Sequence, residues 1–204
     1  MRVLLALTVL ALALTGCAGT EGGISRGGKV IGSTVTVYSL TTEPSGANRD
    51  YVDAQKLALS DAGGRAGEFA VNFSSLDLGD DDELAARAAR RAIADPQIIA
   101  AIVDATPVTV PLFNAAGLLQ VAPGGDTELA TDPNALPLGE RTVSTLPEGD
   151  APADFEQRFR AAFGRDPAPG AERGYRAMEG ILRAVADAGA NGNDRARVVD
   201  AYFD

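Results

Sequence analysis

The sequence has no histidine, no tryptophan and one cysteine among its 204 residues. Without histidine, neither a Ser-His-Asp nor a Cys-His catalytic set can be assembled, and histidine-ligated zinc is excluded. With a single cysteine, Cys17, no disulfide can close within the chain. Basic residues are also scarce. Eighteen Lys and Arg stand against 28 Asp and Glu, a formal charge of −10, so nucleic acid is a poor partner. Carboxylates such as Asp187 and Asp194 have no companion acid or base that the sequence places beside them, so no enzymatic activity, cofactor or catalytic metal is expected. Long apolar runs are limited to Val3 to Leu14, broken only by Thr8. As a helix this run rises about 18 Å, short of the roughly 30 Å hydrocarbon core, so a permanent membrane span is not expected.

That run follows Arg2 and closes on Thr15 and Gly16, the pattern of a signal peptide. Leu14-Thr15-Gly16-Cys17 resembles the lipobox of bacterial lipoproteins, which implies cleavage after residue 16 and diacylglycerol on the Cys17 sulfur. The alternative is an ordinary secretory signal with a chance cysteine. Two or more acyl chains hold a protein on a bilayer stably where one does not. Cys17 is therefore expected to be an anchor, placing the protein in the cell envelope, on the outer face of the cytoplasmic membrane or in the periplasm. Residues 17–29, rich in glycine and without periodicity, read as a flexible tether.

From residue 30 the pattern becomes regular. Val30 to Leu40 is rich in β-branched residues and predicts a strand, and a helix is expected from Asn48 to Ala62, stopped by Gly63-Gly64. A strand from Glu68, a helix over Asp81–Ala94, the wholly apolar strand Ile98–Val103, a short helix ending at Gly117 and a strand over Leu118–Ala122 follow. This alternation predicts a mainly parallel sheet covered by helices on both faces, an α/β three-layer sandwich. Residues 124–152 are dense in Pro, Gly and Asp, with a candidate strand at Arg141–Thr145. Helices are expected over Phe155–Gly164, over Glu172–Gly189 and from Asn193, with Asn193 or Asp194 as the last N-cap.

The segments VTVYSLTTEPSGANRDYVDAQKLALSDAGG, AARAARRAIADPQIIAAIV, VPLFNAAGLLQVAPGG and FEQRFRAAFGRDPAPGAERGYRAMEGILRAVADAG occur in an order that resembles the substrate-binding proteins of branched-chain amino-acid ABC transporters. The resemblance implies the type I periplasmic-binding fold, two α/β lobes that close on a ligand. Here the order jumps from the end of the first lobe to the late helices that fold back onto it. The expectation is thus one first-lobe-like domain over residues 30–204, with 124–152 as an irregular connection replacing most of the second lobe. The implied ligand is a branched-chain or other small amino acid and the implied partners are ABC permease subunits. The implied ligand-binding positions are Ser39, Thr41 and Thr42 after the first strand, Asp104, Thr106 and Thr109 after the third parallel strand, and Gly124 after the fourth. Strand carboxyl ends are where open α/β sheets bind ligands.

Two other features have simpler readings. Asp80–Glu83 lacks the alternating spacing and turn glycine of a calcium loop, and its carboxylates suit the start of a helix. Phe155, Phe159 and Phe163 form a stripe at spacing four that could cover a core or, without a second lobe, meet a partner. Two functions follow: a lipid-anchored solute-binding protein or degenerate single-lobe relative, and an envelope interaction protein that has lost solute binding.

Overall fold

A computed structural model describes residues 28–42, 47–104, 106–123, 143–144, 146 and 149–204. The signal peptide, Cys17, Gly124, most of the tether and most of the 124–152 connection lie outside them. The described strands are β1 (Thr34–Thr41), β2 (Arg65–Ala66), β3 (Phe69–Asp77), β4 (Ile98–Val103), β5 (Leu119–Val121) and β6 (Val143–Ser144). The helices are α1 (Ala47–Asp61), α2 (Asp82–Ile93), α3 (Thr109–Ala115), α4 (Phe155–Phe163), α5 (Ala171–Asp187) and α6 (Arg195–Phe203). They form one sheet in the order β2-β3-β1-β4-β5-β6, parallel throughout except for the short β2–β3 pairing. This is an α/β three-layer sandwich equivalent to one lobe of a type I periplasmic-binding protein.

The layers follow from alternation along the strands. Val35 and Val37 of β1 pack with α1, α4, α5 and α6, while Leu40 packs with α2 and α3 on the opposite face. All six residues of β4 are buried because both sides are covered, which explains its unbroken apolar run. On α5, Tyr175, Met178, Ile181, Leu182 and Val185 all face the core. Asp81 caps α2 by accepting from the Leu84 N–H at 2.8 Å, with Asp82 and Glu83 in the first turn, so the acidic run serves a helix start.

Four expectations change in detail. β1 begins at Thr34 rather than Val30, because Gly32 turns the chain at φ 97° and Val30 instead bonds Asn193, N to O at 2.7 Å. Lys29, read as tether, already pairs with Asp194 in an isolated antiparallel backbone β-bridge. Of the two cap candidates, Asp194 accepts from the Ala196 and Arg197 N–H groups, whereas buried Asn193 donates to the Val30 carbonyl at 2.8 Å. The phenylalanine stripe is interior: Phe155 and Phe159 are buried, Phe163 is partly so, and Phe155 meets Tyr175 edge-on at 5.7 Å. The stripe therefore serves mainly as a core face.

Candidate functional site

The chain leaves β1 for α1 on one face of the sheet and leaves the adjacent β4 for α3 on the other. The two connections therefore part at the carboxyl ends of β1 and β4, and a topological switch point of this kind opens a crevice. Thr42 and Asp104 meet there: the Thr42 N–H donates to Asp104 Oδ2 at 3.4 Å. Asp104 is open to solvent on one side, yet protein crowds it enough to raise its proton affinity above the ordinary carboxylate value, partly offset by the Thr42 bond. None of the ion pairs among the described residues includes Asp104.

Thr106 and Thr109 lie beside it but face each other. The Thr106 N–H donates to Thr109 Oγ1 at 3.0 Å and the Thr109 N–H to Thr106 Oγ1 at 3.1 Å, a reciprocal cap at the start of α3. The Val108 N–H also reaches Thr106 Oγ1, and the Val110 N–H bonds the Thr106 carbonyl. With Pro107 lacking an N–H, the backbone donors of Thr106, Val108, Thr109 and Val110 are all engaged.

Ser39 lies in the β1 row of Val35 and Val37, fully buried, and its hydroxyl has no hydrogen-bond partner among the described residues. Thr41 in the same row is not gathered to Asp104; it lines a separate groove between α1 and β3 with Arg49, Asp53, Lys56, Ser75 and Asp77. Gly124 lies outside the described residues. Thus Thr42, Asp104, Thr106 and Thr109 come together, Ser39 sits within the core side of β1, and Thr41 turns away.

Two residues of α1 join the region without having been singled out from sequence. The Tyr51 hydroxyl is pushed far above its usual proton affinity, first by burial and then by the Asp104 charge, while the neighbouring Gln55 amide and then Arg173 oppose the shift. Gln55, one helical turn on, is fully buried, and its amide has no partner by hydrogen-bond geometry among the described residues. Tyr51 and Gln55 sit four apart on the apolar face, so periodicity alone reads them as core.

The class defined by this geometry is a lobe of the type I periplasmic-binding fold with a topological switch point between β1 and β4. No protein-family model matches the chain, and no curated protein matches it in sequence. Among solved structures, it is similar to a leucine-binding protein of Thermotoga maritima, at 12% identity and a TM-score of 0.63, over 82% of this chain and 87% of that one. It is likewise similar to the branched-chain amino-acid transporter substrate-binding protein of Streptococcus pneumoniae, solved in complex with isoleucine, at 9% identity and a TM-score of 0.62, over 83% and 87%. A branched-chain amino-acid ABC transporter ligand-binding protein of Burkholderia xenovorans shares 16% identity at a TM-score of 0.50, over 82% of each chain. At these identities the likeness is one of fold.

Proposed function

We propose that this chain is an envelope solute-binding protein of ABC-type branched-chain amino-acid transport, anchored by lipid on Cys17 after loss of residues 1–16. It receives its ligand at the carboxyl ends of β1 and β4, around Ser39, Thr42 and Asp104, and presents it to permease subunits. It catalyses no reaction. In this reading residues 30–204 form a single lobe, and the 124–152 connection stands where relatives carry a second lobe. The observation that carries it is the topological switch point between β1 and β4 on a fold shared with three amino-acid transport proteins. A single wall buries less ligand than a closed cleft, so affinity is weak; the loss of two or three charge-assisted hydrogen bonds lowers it by several powers of ten. Calorimetric titration with leucine, isoleucine and valine is expected to give saturable heat in the millimolar range. No heat from any of the three at millimolar ligand overturns the reading.

A second reading, an envelope protein that has lost solute recognition and binds protein on the same face, is favoured by one observation: Thr106 and Thr109 direct their hydroxyls at each other. Silent titrations together with a protein crosslinked from the β1–β4 end would support it. For the anchor, Cys17→Ala is expected to move the protein from the membrane fraction to the soluble fraction and to abolish metabolic labelling with palmitate. Unchanged membrane association and labelling would exclude lipidation at this position.

A further inference from the structure

We propose that two copies of this chain pair edge to edge along β3, antiparallel about a two-fold axis at Leu76, and join their sheets into one. The inference does not depend on solute binding. β3 is an edge strand over most of its length: β1 follows one side of it residue for residue from Ala70 to Asp77, whereas β2 covers only Phe69 and Ala70 on the other. Ala70 donates its N–H to the Ser33 carbonyl beside β1, and Val71 donates outward to the Gly64 carbonyl at 2.9 Å. Backbone groups alternate between the two sides along a strand, so those of Phe73, Ser75 and Asp77 also point outward, where no strand among the described residues meets them. Edge strands are normally blunted by lysine, proline or a bulge. Residues 71–77 have none of these, and Ser75 and Asp77 are exposed.

A second copy fits this edge because the edge complements itself. With Leu76 opposite Leu76, Ser75 of each copy faces Asp77 of the other, and each of these pairs exchanges two N–H to carbonyl bonds. Gly79, at φ 75°, then turns the chain away, which ends the pairing. Val71 and Phe73 pack on the α1 side of the sheet, so Asp77, in the same row, reaches the second copy on that side, at the level of its Ser75. The groove there holds Arg49 and Lys56, seven residues and thus about 10 Å apart along α1. Asp53 in the same groove is already held by Lys56 at 2.9 Å and by Arg165 at 2.7 Å. Arg49 is exposed and forms no ion pair among the described residues, neither with Asp53 nor with the Asp77 of its own chain. An incoming Asp77 therefore meets an unpaired cation, twice by symmetry. On the α2 side the two Leu76 side chains meet at the axis, in the close spacing of a non-hydrogen-bonded pair, beside the groove that exposed Leu84 lines.

The test uses the full-length chain in density-matched detergent at neutral pH. Sedimentation equilibrium is expected to show monomer passing to dimer as concentration rises. Over the same range hydrogen exchange at the Ser75 and Asp77 amides should slow, while Phe73, beyond the end of the paired segment, stays fast. Ser75→Pro removes only an outward N–H, so it spares the β1–β3 bonds and is expected to weaken dimerisation about tenfold or more, since it deletes one bond from each half. Arg49→Glu alters an exposed side chain and sets like charges together, with a loss of similar size; adding Asp77→Lys to it restores the dimer. Unfolding midpoints confirm that each variant is folded, and should Ser75→Pro fail that check the charge pair decides alone. A monomer at every concentration up to the millimolar range overturns the inference. So does a dimer that neither Ser75→Pro nor Arg49→Glu weakens, or one whose Phe73 amide is protected with the rest.

Discussion

Replacing Arg165 with methionine is expected to lower the unfolding free energy by about 3 kcal/mol at neutral pH, because it strands two buried carboxylates. Arg165, in the loop between α4 and α5, donates from Nε to Asp50 Oδ1 at 2.9 Å and from Nη2 to Asp53 Oδ2 at 2.7 Å. The Ala168 N–H holds the other Asp50 oxygen at 2.9 Å, so one arginine and one amide fasten the late helices to α1. The aspartate side chains are only 10% and 11% exposed, whereas Arg165 is 31% exposed, which places the cost at the lower end for a broken buried pair. The guanidinium also lies over the Phe159 and Phe163 rings, at 5.5 and 5.7 Å, a stacking that methionine only partly restores.

The same substitution has a pH signature. Burial pushes the Asp53 carboxyl up, but the hydrogen bonds and charges of Arg165 and Lys56 outweigh it and hold the group below its ordinary value of 3.8. A carboxyl lowered by folding contributes stability above its unfolded value and loses it as pH falls through the folded one. Without Arg165, burial is opposed by Lys56 alone and the lowering weakens or reverses. The deficit of Arg165→Met should therefore be largest near pH 7 and shrink at a pH well below 3.8, where Asp53 is protonated in the folded state too. Urea unfolding at both pH values decides it; an identical deficit at each would show that the arginine acts through packing alone. Adding Asp50→Asn and Asp53→Asn should recover part of the loss, which a double-mutant cycle measures directly.

The sequence carries this fold unevenly, for physical reasons. β1, β3, β4 and β5 and the helices between them are legible because burial on one or both faces imposes a period. The two-residue strand β2 is not, since Arg65–Ala66 has no period; its place is set by Gly63, Gly64 and Gly67, all at positive φ, which fold the end of α1 back along β3. β6 falls inside the predicted Arg141–Thr145 strand; among the described residues Val143 and Ser144 pair with β5. The phenylalanine stripe announces a helix face but not its cover, which depends on Arg165 reaching α1 across more than a hundred residues.

The candidate site shows the same division. Its location follows from strand order, because the crevice lies wherever successive connections take opposite faces. Its polarity does not. Thr106 and Thr109 look like ligand donors in isolation, and only their three-residue spacing hints that they cap each other. Tyr51 is written into an apolar helical face, yet its hydroxyl comes within the field of Asp104. Long-range proximity of this kind leaves no local signal.

Gly174→Ala is the second large effect, and its sign opposes helix propensity. Alanine in a helix interior normally gains about 1 kcal/mol over glycine. At Gly174 of α5, however, a Cβ would stand 2.2 Å from the Tyr51 carbonyl oxygen and 3.0 Å from its ring carbon Cδ2, on α1. The two helices cross closely there because small residues line both sides, with Ala171, Gly174 and Ala177 on α5 facing α1, which carries Ala54 and Ala58. A backbone oxygen cannot rotate aside as a side chain can, so the helices must separate. The expected loss is about 2–3 kcal/mol, a fall in melting temperature on the order of 5–10 °C. Tyr51→Ala in the same chain should not rescue it, because that truncation removes the ring contact and leaves the carbonyl in place. A variant as stable as the wild type, or one rescued by Tyr51→Ala, would mean that the helix crossing is looser than 2.2 Å implies and that α1 is not fixed by this contact.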